Sequence, residues 1–256
     1  MNLHQKITNM QLQDKKMAIV WLGQSGFIIK TSHGKVIAID PYLTDSCERL
    51  VGFMRFTPKL ISPEEIEADY VLFSHHHEDH FDVDAVPILS SCSKTIFVGS
   101  KASIKKCMDL HITEKRLFAL SAGDELQFDN LYLKAVYADH GDLVPDAIGF
   151  LLEIEGKKLY FAGDTAYRPD KLKAVIDFKP EIAILPINGA YGNLNAIEAA
   201  QMAKQLCVRY VIPCHFWTFK EHYAENGDPF TFSKEMQIYA PECHPIFLPQ
   251  GGTFFY

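Results

Sequence analysis

Residues 74–82 read Ser-His-His-His-Glu-Asp-His-Phe-Asp and hold the pattern His-x-His-x-Asp-His at positions 75, 77, 79 and 80. They follow the apolar run Tyr70-Val71-Leu72-Phe73, which is too short for a long helix and rich in strand-forming residues. Side chains alternate along a strand end, so His75 and His77 project to one side and can share one ion. Asp79 and His80, at the turn into a helix, point to a neighbouring position. Imidazole and carboxylate together suit zinc, manganese, iron or cobalt rather than calcium or magnesium. A histidine-rich surface loop with incidental metal affinity is the plain alternative, and the downstream sequence argues against it.

Working outward, six apolar runs in succession end on a polar residue. The run at 36–39 is followed by Asp40, 70–73 by Ser74-His75, 132–138 by Asp139-His140, 158–162 by Gly163-Asp164, 181–187 by Asn188, and 210–214 by His215. In α/β sheets the C-terminal strand edge is where ligand crevices form. Turn preference accounts for Asp40 and Asn188, but not for three histidines and an Asp in a Gly-Asp-Thr turn. Before these, Met17-Ala-Ile-Val-Trp-Leu-Gly-Gln-Ser-Gly-Phe-Ile-Ile-Lys-Thr-Ser-His-Gly-Lys-Val-Ile-Ala-Ile-Asp40 reads as a meander of hairpins, with Gly23-Gln24-Ser25-Gly26 as a turn. One helix is expected from Ser62, with Pro63 first and Glu65 closing a capping box; another starts at Asn195 with Glu198.

Composition narrows the classes. The 256 residues are 48% hydrophobic and 22% charged, ordinary for a folded globular chain. With 25 Lys+Arg against 32 Asp+Glu, the net charge of -7 lacks the basic footprint of a nucleic-acid binder. No apolar run reaches the length of a membrane span, and the polar start lacks the apolar core of a secretory signal. The six cysteines contain no Cys-x-x-Cys, which fits reduced thiols in a cytoplasmic protein. Without a linker-like or repeated stretch, residues 1–256 are expected to form a single domain, with 1–16 a polar N-terminal extension.

The sequence His75-His76-His77-Glu78-Asp79-His80, a later His140, the Gly163-Asp164-Thr165 turn and a final His215 resemble the metallo-β-lactamase superfamily. The resemblance implies an α/β fold, a four-layer αββα sandwich of two mixed β-sheets flanked by helices. It also implies two divalent metal ions per chain, zinc or manganese, with iron as a further choice. On it, His75, His77 and His140 correspond to the first ion's ligands, and Asp79, His80 and His215 to the second's, with Asp164 bridging. His76 falls at a variable position, and Asp40 matches an early Asp that supports the ligands from behind. Residues 21–46, 186–200 and 213–229 further resemble the L-ascorbate-6-phosphate lactonase branch, although Ala166 stands where that branch has a histidine.

The implied function is a metal-dependent hydrolase in which metal-activated hydroxide attacks a small anionic lactone or ester, such as L-ascorbate 6-phosphate. A phosphodiesterase or nuclease of the same superfamily is the alternative, and a metal-binding scaffold is a distant third. Asp79 is the expected catalytic carboxylate. Arg168, Asn188 and Trp217 are the candidate substrate contacts, Arg168 being placed by sequence to anchor a phosphate. His4, His33, His111, His222 and His244 lack ligand spacing and read as surface or internally satisfied histidines. The loop-like but apolar segment 44–60 can line a pocket, form a lid, pack in the core or bury in a homo-oligomer interface. No membrane partner is expected. Elemental analysis of gently purified protein should approach two metal equivalents per chain; a reconstituted protein that never exceeds background sinks this reading.

Overall fold

Hydrophobic runs that alternate with helical segments build two mixed sheets here, and the computed structural model describes residues 2–142 and 144–256. The chain divides into two compact units, residues 1–120 with 248–256, and residues 121–247. In the first unit the expected meander forms β1 (Met17–Gly23), β2 (Gly26–Thr31) and β3 (Val36–Ile39), antiparallel neighbours in that order. Three parallel strands follow: β4 (Tyr70–Phe73), β5 (Ile96–Ser100) and β6 (Leu117–Leu120).

The second unit repeats this plan. An antiparallel series, β7 (Glu125–Phe128), β8 (Leu131–Tyr137), β9 (Ile148–Ile154) and β10 (Lys157–Phe161), is extended by parallel β11 (Ile182–Pro186), β12 (Tyr210–Cys214) and β13 (His244–Pro245). The last strand, β14 (Thr253–Phe255), returns to pair antiparallel with β1. Both seven-stranded sheets therefore carry three antiparallel ladders and then three parallel ones.

Parallel neighbours need crossovers long enough to bring the chain back to the starting edge. The helices supply them. Leading into β1 is α1 (Leu3–Thr8); α2 (Ser46–Val51) follows β3, and α3 (Ala85–Leu89) and α4 (Lys101–Asp109) lie beyond β4 and β5. In the second unit α5 (Lys173–Phe178), α6 (Ala196–Leu206) and α7 (Pro229–Tyr239) follow β10, β11 and β12. Because these strands run parallel, their C-terminal ends share one edge of each sheet. Two mixed sheets flanked by helices are thus the expected α/β class, and the strands end within one residue of the six apolar runs.

Two local expectations change. Ser62 does form the capping box with Glu65, but only a 3-10 turn follows, Pro63–Glu65, because Ile66 turns extended and is buried in the core. Segment 44–60 is not wholly loop, since α2 forms with Ser46 and Cys47 buried and Leu50 and Val51 exposed. The N-terminal stretch joins the first unit's core through Leu3 and Ile7, while buried Lys30 donates to the Ile7 and Thr8 carbonyls at 2.6 and 2.9 Å. Asn195 caps α6 with the full capping box.

Phe73 sits in that core between Phe81 and Phe97, with ring centroids 4.7 and 6.4 Å away. It closes β4 immediately before the histidine motif. Phe73→Ala leaves a cavity there, and urea unfolding of the variant should show a loss of about 3–5 kcal/mol.

Candidate metal centre

In the first unit the ligand edge is organised by Asp40, which follows β3 and is fully buried. The backbone NH of Ser74, at the end of the neighbouring parallel strand, donates to Asp40 Oδ1 at 2.7 Å, and the Ser74 hydroxyl donates to Oδ2. His80 Nδ1 donates to the same Oδ2 at 2.7 Å. The Ser74 hydroxyl hydrogen is directed at Asp40, so Oγ accepts from His75 Nδ1 at 3.0 Å. Both imidazoles are thereby fixed with Nδ1 protonated and the Nε2 lone pair turned outward. Burial pushes the Asp40 carboxyl pKa up, while His80 and Ser74 pull against that rise.

The outward atoms meet at ligand spacing. His75 Nε2 lies 3.1 Å from His77 Nδ1, and His80 Nε2 lies 3.3 Å from Asp79 Oδ2. Nitrogens sharing a tetrahedral ion at about 2.0–2.1 Å stand about 3.3 Å apart. An Nε2 lone pair facing a carboxylate oxygen is repulsive unless a cation lies between them. The donor set and its spacing therefore fit a metal ion. Asp79 Oδ2 also accepts from Gln24 Nε2 at 2.8 Å. Gln24 occupies the β1–β2 turn at a left-handed φ of 51°, with its carbonyl held by Trp21 Nε1 at 2.9 Å.

The second unit brings its own three candidates together. Asp164, after β10, has Oδ2 at 3.2 Å from His215 Nε2 and 3.8 Å from His140 Nε2. Thr165 ties the strand ends, as its hydroxyl accepts from the Asp139 NH at 2.9 Å and the Ala166 NH donates to the Asp139 carbonyl at 2.8 Å. Asn193 Nδ2 donates to Asp164 Oδ2 at 2.7 Å and to Asn188 Oδ1 at 3.2 Å. The His215 ring stacks on His222, with centroids 5.0 Å apart and planes 6° from parallel.

Of the candidate substrate contacts, Asn188 is buried and supports Asp164 through Asn193. Trp217 is 44% exposed and packs on Phe216 and Phe230. The Arg168 guanidinium pairs with Asp139 at 2.6 Å and with Asp170 at 3.2 Å. Gln24, Ser74, Asn193 and His222 were not singled out by sequence spacing. Only Gln24 carried any signal, as a long amide in a Gly-x-x-Gly turn.

Histidines and carboxylates at ligand spacing on the strand edges of an α/β chain define a metal-binding protein of the kind in which metal-dependent hydrolases occur. A family model described as the Beta-lactamase superfamily domain matches residues 18–215. Similar proteins include a UPF0173 metal-dependent hydrolase of Methanosphaera stadtmanae, 31% identical over 217 residues that cover 79% of this chain and 85% of that one. Another, from Myxococcus xanthus, is 31% identical over 251 residues, covering 93% and 83%. The fold is similar to that of Igni18, a metallo hydrolase of the archaeon Ignicoccus hospitalis, with TM-score 0.73, 23% identity and coverage of 94% and 98%. The chain belongs to the metallo-β-lactamase superfamily.

Gln24→Asn separates the turn from the amide. Asparagine accepts a left-handed φ more readily but is one methylene short of Asp79. The variant should unfold no earlier than the wild type when metal-free, yet lose about 10- to 100-fold in affinity for one metal equivalent in chelator competition.

Proposed function

We propose that this metal-dependent hydrolase cleaves a small anionic lactone or ester, of the kind represented by phosphorylated sugar lactones such as L-ascorbate 6-phosphate. Two ions, zinc or manganese or else iron, are assigned to His75, His77 and His140, and to Asp79, His80 and His215, with Asp164 shared. The observation that carries this is that, in each unit, a carboxylate oxygen faces an imidazole nitrogen at 3.2–3.3 Å while a side-chain amide holds that same oxygen. Ions bound there would polarise the substrate carbonyl and lower the pKa of a bound water to about 7.

The chain's own groups do the rest. Asp40 and Ser74 hold His75 and His80 in one tautomer, so neither ring must reorganise during a cycle. Asp79, oriented by Gln24, positions the attacking water. Asn193 keeps the Asp164 oxygen turned to His215. Trp217 is assigned to the substrate, Asn188 instead holds Asn193 behind Asp164, and Arg168 would reach an anionic group only by releasing Asp139 and Asp170. A cytoplasmic setting agrees with six cysteines that form no disulfide.

Metal-loaded protein should be offered phosphorylated sugar lactones and bis(p-nitrophenyl) phosphate in parallel. Lactone turnover without diester cleavage is expected; the reverse selects the phosphodiesterase alternative. Asp79→Asn keeps the shape but loses the charge, so turnover on the best substrate should fall by roughly 10²–10⁴-fold. The first ion should stay, since His75, His77 and His140 remain. His140→Ala should instead loosen that ion, and added metal ought to restore part of its activity but none of the Asp79→Asn loss. An Asp79→Asn enzyme with wild-type turnover would remove this carboxylate from the mechanism.

A further inference from the structure

An anionic substrate needs a cation that no carboxylate has already taken. Around the ligand edge of the first unit the cations are mostly committed. Arg49 pairs with Asp84 at 2.5 Å, Lys59 pairs with Asp45, and Lys106 is held by the His76 carbonyl at 2.7 Å with Glu78 at 3.5 Å. In the second unit Arg168 is held by two carboxylates. Arg55 differs from all of these. Among the described residues its guanidinium forms no ion pair, and its polar contact is one hydrogen bond, from Nη1 to the Thr44 carbonyl at 3.2 Å. One face lies over the Tyr42 ring, 4.5 Å from the centroid. Nε is buried without a hydrogen-bond partner.

That arrangement leaves one edge of the fork without a partner. With Nη1 spent on Thr44 and a face on Tyr42, Nε and Nη2 remain as the pair of parallel donors that matches a carboxylate or phosphate. The nearby acids do not fill it. Asp82 accepts from the Leu43 and Thr44 amides at 2.9 and 2.7 Å and from the Thr44 hydroxyl at 2.7 Å, and Asp45 is engaged by Lys59. Burial pushes the guanidinium pKa down, against the opposing pull of Asp45 and Asp82.

Arg55 is also tied to the catalytic edge by both its contacts. Tyr42 lies two residues past Asp40, and Thr44 is clamped by Asp82, two residues past His80. Burial, and then the charge of Asp79, push the thiol of nearby buried Cys47 up, which sets this cluster within electrostatic reach of that carboxylate. Exposed Met54 and Phe56 flank Arg55 and offer apolar surface beside the charge.

We propose that Arg55 is the anchor for the substrate's anionic group, its Nε–Nη2 edge taking a carboxylate or phosphate oxyanion. The proposal rests on the hydrolase reading above and replaces Arg168 as the specificity-determining cation. An incoming oxyanion would satisfy a buried donor that the unliganded chain leaves unpaired, so binding gains from the deficit.

The test uses the full chain loaded with one metal. Calorimetric titration with glutarate and with glycerol 3-phosphate, against glycerol as the neutral control, distinguishes a carboxylate from a phosphate. Arg55→Met should weaken at least one anion by about 10- to 100-fold, the range of a lost charge-assisted hydrogen bond. Arg55→Lys, which keeps the charge but not the fork, should recover part of that loss and guards against a Met variant that fails to fold. In turnover, the preference for mono-4-nitrophenyl glutarate over 4-nitrophenyl acetate should fall by the same factor. Unchanged anion affinity in Arg55→Met, or no anion binding by the wild type, overturns the proposal even if esters are cleaved. Reduced anion affinity with no ester cleaved under any metal removes the hydrolase reading and leaves Arg55 as an anion site.

Discussion

A carboxylate that water does not reach sets the order at the ligand-bearing edge of the first unit. Asp40 gathers the Ser74 amide, the Ser74 hydroxyl and His80 Nδ1 on its two oxygens. A buried carboxylate without such donors would be costly, so the three bonds are as much a condition for burying Asp40 as a result of it. They dock the end of β3 against the end of β4, the first parallel step in the sheet, just before the histidine motif. From there the constraint spreads outward. Ser74 passes it to His75, and Asp40 passes it directly to His80, so two imidazoles leave the edge with their coordinating nitrogens already aimed.

The second unit reaches a similar end by a different use of the same position. In both sheets the strand at the antiparallel-to-parallel switch, β3 or β10, is followed by an aspartate. Asp40 turns inward and braces histidines, whereas Asp164 turns its oxygen to His215 and His140. The two candidate ligand carboxylates share a device. Asp79 and Asp164 each accept from an amide, Gln24 or Asn193, on the oxygen that faces an imidazole. A neutral amide fixes a carboxylate's orientation without adding the charge that a lysine or arginine would, and so leaves the full negative charge for a cation.

Charge compensation separates the two arginines that matter. Arg168 stands four residues after Asp164, yet Asp139 and Asp170 have closed its fork. Arg55 lies in a segment with no motif at all, but its stacking on Tyr42 and its single bond to Thr44 leave an edge for an oxyanion. Proximity in sequence to a ligand is a poor guide to which cation is available, because availability is decided by the acids that fold against it.

The sequence alone was enough to place eight of the fourteen strands among the described residues, the polar ends of six of them, the histidine motif and the capped helix at Asn195. These are local facts: alternation, run length and a cap at fixed spacing act over a few residues, and they act the same way wherever the segment sits. The capping box at Ser62 shows the limit of that locality, since burial of Ile66 in the core stops the helix after one 3-10 turn. Only the tertiary structure joined Gln24 to Asp79, Asn193 to Asp164, His222 to His215 and Arg55 to Tyr42. Hydrogen bonds, ring stacking and charge pairing depend on distance in space, and between residues as far apart as 24 and 79 that distance is set by strand pairing, which no local pattern records.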